Sequence, residues 1–290
     1  MTFQNFRYHF GSRYDADVFK LQDSNSLFIF AYIKSEDMTL QSILKEAESK
    51  YKIINIQCIA GALKTKTKSE TFKPIWVSEK KELITTELGC KILLESEKVL
   101  NPGLFLDQSE NRKQMIQFMK KKPPGIMLNL FSYTGAFSIA ARANGFETTS
   151  VDVSSRYLEW EKKNHALNGH SDGFRLIKSD ARKFLEKACK KPEKYDLIVL
   201  DPPSFSRSDG ETFKIEKELP KLTPLALNCL AIHGRALIST NLATWSLKDF
   251  RELMNEIARN HSCKIQPGEL PYEFKSQKYP LKSLWFQKIT

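Results

Sequence analysis

The chain has 290 residues, enough for one large domain or two modest ones; 41% hydrophobic, 27% charged, 12 Gly and 12 Pro exclude a disordered or collagen-like chain. Lys and Arg outnumber Asp and Glu by 45 to 34, a net charge of +11 and a pI near 9.3. That surplus favours a polyanionic partner through counterion release, although a solvated lysine-rich surface would carry the same charge.

Residues 26–34 and 52–59 are predicted strands from their β-branched and aromatic content, with a helix over 38–50 that carries Leu40, Ile43, Leu44 and Ala47 at helical spacing. Lys64-Thr65-Lys66-Thr67-Lys68 is a basic turn, and further strands are expected near 74–78 and 90–96. Residues 1–100 are thus expected to form a small α+β domain. Residues 101–124 form a joining segment and a helix from about Ser109, with Met115, Phe118 and Met119 on its apolar face. Lys120, Lys121 and Lys122 sit at its negative end, and Pro123-Pro124 stops it.

From residue 125 strands and helices alternate. Ile126–Leu130, Thr148–Val151, Phe174–Lys178, Leu197–Leu200 and Ala236–Ser239 are predicted strands. Helices are expected over Gly135–Asn144, from the Ser154 cap to about Leu167, over Ala181–Lys190, near 216–229 and over Ser246–Asn260, before a last strand pair ending in Leu284-Trp285-Phe286. Such alternation means an α/β domain over 125–290, a mostly parallel sheet with helices on both faces. Its binding site belongs at the carboxyl ends of the strands, near the topological switch point.

Cys58, Cys90, Cys189, Cys229 and Cys263 are odd in number and widely spaced, without a Cys-x-x-Cys pair, and the five histidines form no His-Glu-x-x-His. Neither a disulfide framework nor a metal site is expected; His261 and Cys263 are near neighbours but lack two further ligands. No run approaches the roughly 18 apolar residues of a spanning helix, and no basic segment leads into an apolar run at the N-terminus. A cytoplasmic protein without membrane contact is the expectation.

Three segments carry chemistry. Leu128-Asn129-Leu130-Phe131-Ser132-Tyr133-Thr134-Gly135 runs from a strand into a turn and a helix, and Asp152 follows Gly135 by 17 residues at the end of the next strand. A carboxylate there can accept both hydroxyls of an adenosine ribose. The single glycine, where a dinucleotide fold has three, disfavours a pyrophosphate and hence NAD. Asp180, after the third strand, can reach an adenine amine, although an Asp before a helix is also a normal N-cap. Asp201-Pro202-Pro203-Ser204-Phe205 follows the apolar fourth strand. Its prolines remove backbone donors and stiffen the turn, which leaves a carboxylate, carbonyls and an aromatic ring suited to a planar base.

In this order these segments resemble class I S-adenosylmethionine-dependent methyltransferases. With Pro102–Arg112, they resemble more narrowly the bacterial 23S ribosomal RNA methyltransferases that modify cytosine at carbon 5 or guanine. The resemblance covers residues 95–290 well and the first hundred loosely. It implies a Rossmann-like fold with a seven-stranded sheet and S-adenosylmethionine as methyl donor. By it, Asn129, Phe131, Thr134 and Gly135 surround the methionine moiety, Asp152 takes the ribose, and Val153, Asp180 and Ala181 take the adenine. Asp201 and Pro202 lie beside the methyl, and Asp107, Gln108 and Arg112 close over the donor. From the chemistry of its own loop, Phe205 is expected to stack on the acceptor base. Cytosine-modifying relatives need a thiol after the fifth strand; here that place reads Ser239-Thr240-Asn241, which favours guanine. No separate RNA-binding barrel of the kind many relatives carry is evident, so RNA contact would rest on the basic surface. Methylation of a protein or small molecule, and a non-catalytic RNA-binding relative, are the alternatives.

Overall fold

The computed structural model describes residues 5–10, 14–22, 27–33, 42, 45, 49, 58–64, 72–77, 83–95, 101–208, 211–275, 277 and 279–290. The chain forms two compact units, Met1–Leu106 and Asp107–Thr290.

In the first unit, β1 (Phe6–Phe10), β2 (Tyr14–Lys20), β3 (Leu27–Ile33), β4 (Cys58–Lys64) and β5 (Phe72–Val77) form a sheet in sequential order, antiparallel except for the β3–β4 pair. β6 (Leu83–Glu87) and β7 (Cys90–Leu94) make a separate hairpin. Phe19, Phe28 and Phe30 are buried, and buried Asp17 accepts from the Arg7 guanidinium at 2.6 and 2.7 Å and from the Tyr32 hydroxyl at 3.0 Å. Of the helix expected over 38–50 only Ser42, Lys45 and Ser49 are described, and they are helical; the turn residues Thr65–Lys68 lie outside the described residues, as do 52–57.

In the second unit, α1 (Ser109–Met119) precedes β8 (Ile126–Leu130), α2 (Ala136–Arg142), β9 (Glu147–Asp152), α3 (Ser155–Leu167), β10 (Phe174–Lys178), α4 (Ala181–Ala188) and β11 (Tyr195–Leu200). There follow β12 (Phe205–Ser208), β13 (Glu211–Lys214), α5 (Ile215–Asn228), β14 (Leu230–Thr240), α6 (Leu247–Asn260), β15 (Cys263–Pro267) and β16 (Lys282–Lys288). The seven-stranded sheet runs β10-β9-β8-β11-β14-β16-β15. Its first five strands are parallel, and β16 is antiparallel to both neighbours. This is the mostly parallel sheet that the alternation implied and the seven-stranded, Rossmann-like fold that the resemblance implied. β8 and β11, adjacent in space though three elements apart in strand-to-strand order, open the switch point. Their residues Leu128, Leu130, Ile198 and Leu200 are fully buried with Ile238, Leu284 and Phe286 in one core, as strands covered on both faces require.

Two features were not foreseen. β14 begins at Leu230, six residues before the expected strand, and the β12–β13 hairpin follows the Asp-Pro-Pro-Ser turn. Hairpin pairing of a polar Phe-Ser-Arg-Ser segment with Glu-Thr-Phe-Lys leaves little hydrophobic signal in the sequence.

Candidate active site

The loop from β8 to α2 has positive φ at three of five positions: Phe131 (59°), Tyr133 (53°) and Gly135 (80°). Left-handed backbone costs about 1–2 kcal/mol at a non-glycine residue, so the loop needs external anchors. Ser132 N donates to Val151 O at 3.2 Å, Gly135 N to Ser132 O at 2.9 Å, and Asn164 Nδ2 of α3 to Thr134 O at 2.8 Å. The Tyr133 ring meets Tyr157 edge-on at 4.7 Å, and Phe131 packs on Phe213 of β13 at 5.3 Å. Gly135 has no room for a side chain: a Cβ would overlap the Glu161 side chain and stand 2.6 Å from its Oε1.

Asp152, half-buried at the end of β9, accepts from Tyr133 N at 3.0 Å on one oxygen and from Ser154 N at 2.8 Å on the other. Burial pushes its carboxyl above the usual range despite these bonds, and the Glu161 charge adds to the rise. A carboxylate oxygen accepts more than one hydrogen bond, which suits Asp152 to ribose hydroxyls as well as to these backbone donors. Val153 is half-buried beside it. Asp180 caps α4 by accepting from Arg182 N at 2.8 Å, and its oxygens also take the Arg182 guanidinium at 2.7 and 3.0 Å. Burial acts to raise this carboxyl, but the Arg182 bonds and charge outweigh it and hold it below its ordinary value. An adenine amine would share Asp180 with Arg182. Ala181 is buried in the first turn of α4.

Beyond β11, Asp201 Oδ1 accepts from Ser239 Oγ at 2.6 Å, and Ser239 Oγ accepts from Gln108 Nε2 at 3.1 Å. Asn111 Nδ2 donates to Gln108 Oε1 at 2.7 Å and to Ser283 Oγ at 3.1 Å. Desolvation pushes the Asp201 carboxyl up, against the hydrogen bonds of Ser239 and Gln108 and the Arg112 charge. Pro202 is buried, Ser204 Oγ donates to Asn241 Oδ1 at 2.6 Å, and Phe205 is 51% exposed at the start of the hairpin.

Asp152, Asp180, Asp201 and the Phe131–Gly135 loop therefore meet at the carboxyl rim of the sheet. Other expected site residues are buried or bonded within the protein. Asn129 is only 2% exposed and donates to Ser138 Oγ at 2.8 Å, turned under α2 because its strand is covered on that face. The Thr134 side chain is fully buried, leaving its carbonyl to bond Asn164. Gln108 and Arg112 are enclosed behind Asp201, with the Arg112 guanidinium 5.4 Å over the Phe137 ring, rather than poised as a cover. Asp107 is half-buried in the short 3-10 turn Leu106–Gln108.

Sequence reasoning missed Glu161, Ser239 as a partner of Asp201, and Asn241 as a partner of Ser204. A charged residue three positions after Leu158 and four before His165, on the buried stripe of α3, was the one local signal for Glu161. Among the described residues, no three His, Cys, Asp or Glu side chains gather as a metal site, and no helix is long and apolar enough to cross a membrane.

Residues 70–263 match the family described as S-adenosylmethionine-dependent methyltransferase. The sequence is 33% identical over 202 residues to ribosomal RNA large subunit methyltransferase K of Neisseria meningitidis serogroup B, covering 68% of this chain and 54% of that protein. It is 39% identical over 167 residues to a ribosomal RNA large subunit methyltransferase K/L of Pseudomonas fluorescens, covering 57% of this chain and 21% of that one. The chain thus spans about half the length of the first relative and a fifth of the second. Its fold matches a SAM-dependent methyltransferase from Streptococcus mutans with a TM-score of 0.78 at 23% identity, covering 96% of this chain and 72% of the other.

Proposed function

The chain belongs to the S-adenosylmethionine-dependent methyltransferase family, and on that premise we propose that it methylates a base of RNA, a guanine of large-subunit ribosomal RNA, in the cytoplasm. The curated relatives named for large-subunit ribosomal RNA support this substrate, as does the net charge of +11. The observation that carries the choice of guanine is the rim beside Asp201, where the described residues of the second unit offer the Ser239 hydroxyl and the Asn241 amide but no thiol.

Addition to cytosine carbon 5 needs a thiolate next to the base. Cys229 and Cys189 stand 3.3 Å apart, and Tyr195 N at the amino end of β11 donates to Cys229 O, so this pair sits away from the carboxyl rim. Burial and the Cys189 neighbour push the Cys229 thiol up to about 12. Cys263 starts β15, whose other end, Pro267, is the one nearer the rim.

S-adenosylmethionine, when bound, supplies a methyl made electrophilic by its sulfonium. The residues fit it: the Phe131–Gly135 loop beside the methionine, Asp152 for the ribose, Val153 and Asp180 for the adenine. Asp201 and the Pro202 carbonyl align the acceptor nitrogen, and Phe205 stacks on a base that is unpaired or flipped out. Where that nitrogen carries a proton, the Asp201 carboxylate, raised by burial, is suited to receive it. Rate then comes from positioning two reactants in line rather than from a covalent intermediate.

The test is transfer of label from tritiated S-adenosylmethionine to ribosomal RNA, with the RNA digested and its nucleosides identified by mass spectrometry. Label in a methylated guanosine is the expected result. Label in 5-methylcytidine, in protein, or in no RNA nucleoside would overturn the assignment.

A further inference from the structure

Beneath the Phe131–Gly135 loop lies a carboxylate that the methyl-transfer reading does not use. Glu161 of α3 is fully buried; its Oε2 accepts from Ser132 Oγ of the loop at 2.8 Å and its Oε1 from Ser150 Oγ of β9 at 2.5 Å. Ser150 Oγ is 2.7 Å from Ser138 Oγ, which in turn accepts from Asn129 Nδ2 at 2.8 Å. Asn129 donates into this chain at one end, and Ser150 donates to Glu161 at the other. Both glutamate oxygens accept a hydroxyl proton, the arrangement of a carboxylate.

No Lys or Arg ion pair with Glu161 is present among the described residues; the one basic group within 4.0 Å is His165, whose Nε2 lies 3.8 Å from Oε1 and makes no hydrogen bond. The other ring nitrogen of His165 faces His170 Nδ1 at 3.1 Å. Removing a charge from water without a close counter-ion costs stability, so packing alone does not account for Glu161. Its charge reaches Asp152, where it helps raise the carboxyl, and its side chain is what bars a Cβ at Gly135. One buried carboxylate thus touches the loop's shape at two points and bears on the field at the ribose-binding residue.

We propose that Glu161 is a positioning residue for the methyl donor: through Ser132 it clamps the Phe131–Gly135 loop, and its negative charge favours the cationic sulfonium donor over the neutral sulfide product. This rests on the reading that the loop holds S-adenosylmethionine. The charge distinguishes the two ligands because they differ at the sulfur by one positive charge, while the loop's shape serves both alike. Loss of that preference would slow exchange of spent product for fresh donor.

The experiment is calorimetric titration of the full chain with S-adenosylmethionine and, separately, with S-adenosylhomocysteine. Failure of the unaltered protein to bind either ligand would refute the reading of the loop itself. Glu161→Gln keeps the volume, can still accept from Ser150 and can donate to Ser132, and removes only the charge. It is expected to weaken donor binding about tenfold and product binding less than about threefold, the size of one partly screened charge interaction. Equal weakening of both ligands, or no change in either, would overturn the charge role. Ser132→Ala keeps the charge and cuts the clamp; both ligands should weaken together by about threefold or more, the loss of one hydrogen bond to a charged group. Unchanged binding in this variant would overturn the clamp, and it remains testable if Glu161→Gln does not fold. Glu161→Asp, which restores the charge, should return the donor-to-product ratio to within about twofold of the unaltered protein, since the charge difference at sulfur is unchanged.

Discussion

Replacing Gly135 with Ala probes the loop and the helix beneath it in one step. The residue has φ of 80°, and the added Cβ would overlap the Glu161 side chain and come within 2.6 Å of Oε1. Left-handed strain contributes about 1–2 kcal/mol. Displacing the carboxylate jeopardises its bonds from Ser132 and Ser150, each worth about 1.5–3 kcal/mol for a charged acceptor. Partial relaxation of α3 would recover some of this, so the expected cost is about 4 kcal/mol, or roughly 8–16 °C in Tm for a unit of this size. Denaturant unfolding monitored by circular dichroism measures it. In a Glu161→Ala background the obstruction is gone, and the same substitution should cost only the strain of about 1–2 kcal/mol. The coupling between the two sites, about 2–3 kcal/mol, is therefore the informative quantity. Additive effects, or a single-variant cost below about 1 kcal/mol, would refute the contact between loop and glutamate as the cause.

Asp201→Asn should abolish methyl transfer while S-adenosylmethionine affinity stays within about tenfold, or 1.4 kcal/mol, by calorimetry. A carboxyl raised in the folded state favours its protonated form on folding, so it costs stability as pH climbs above the ordinary carboxylate range. Asp201→Asn should accordingly gain Tm relative to the unaltered chain as pH rises from 4 towards neutrality. Phe205→Ala, at a ring that is 51% exposed, should leave Tm and donor affinity unchanged. It should weaken RNA binding in a filter assay by about 1–3 kcal/mol, the value of one stacked base. His170 is held down to about 4, chiefly by burial and then by the charge of His165. A histidine lowered in this way stabilises the fold above its unfolded value and loses that contribution as pH falls from 6.5 through about 4. Proton NMR should show His170 titrating near 4, and His170→Asn should flatten the acid limb of the stability curve over that interval.

Local signals in the chain were sufficient for the frame of the second unit. Apolar runs such as Ile198-Val199-Leu200 can be satisfied only in a strand covered on both faces, and Gly145 and Ser154 end and begin helices through their own backbone chemistry. Asp152, Asp180 and Asp201 were legible as rim carboxylates because each stands at the carboxyl end of a parallel strand, as its last residue or within two residues of it. Facing direction was not legible for Asn129 and Thr134. Whether a polar side chain in a motif points to a ligand or into the packing depends on the helices laid over it: Ser138 of α2 takes the Asn129 amide, and the Thr134 side chain is buried while its carbonyl bonds Asn164 of α3.

The amino-acid order by itself determined the alternation of strand and helix, the switch point and the rim residues, because those follow from backbone propensity and the period of apolar side chains. Tertiary structure alone decided that Glu161 lies under Gly135, that Ser239 holds Asp201, and that Gln108 and Arg112 stand behind that carboxylate. Those pairs are separated by 26 to 93 residues. A hydrogen bond between such partners exists only once packing has brought their elements together, and it leaves no periodic trace in either segment.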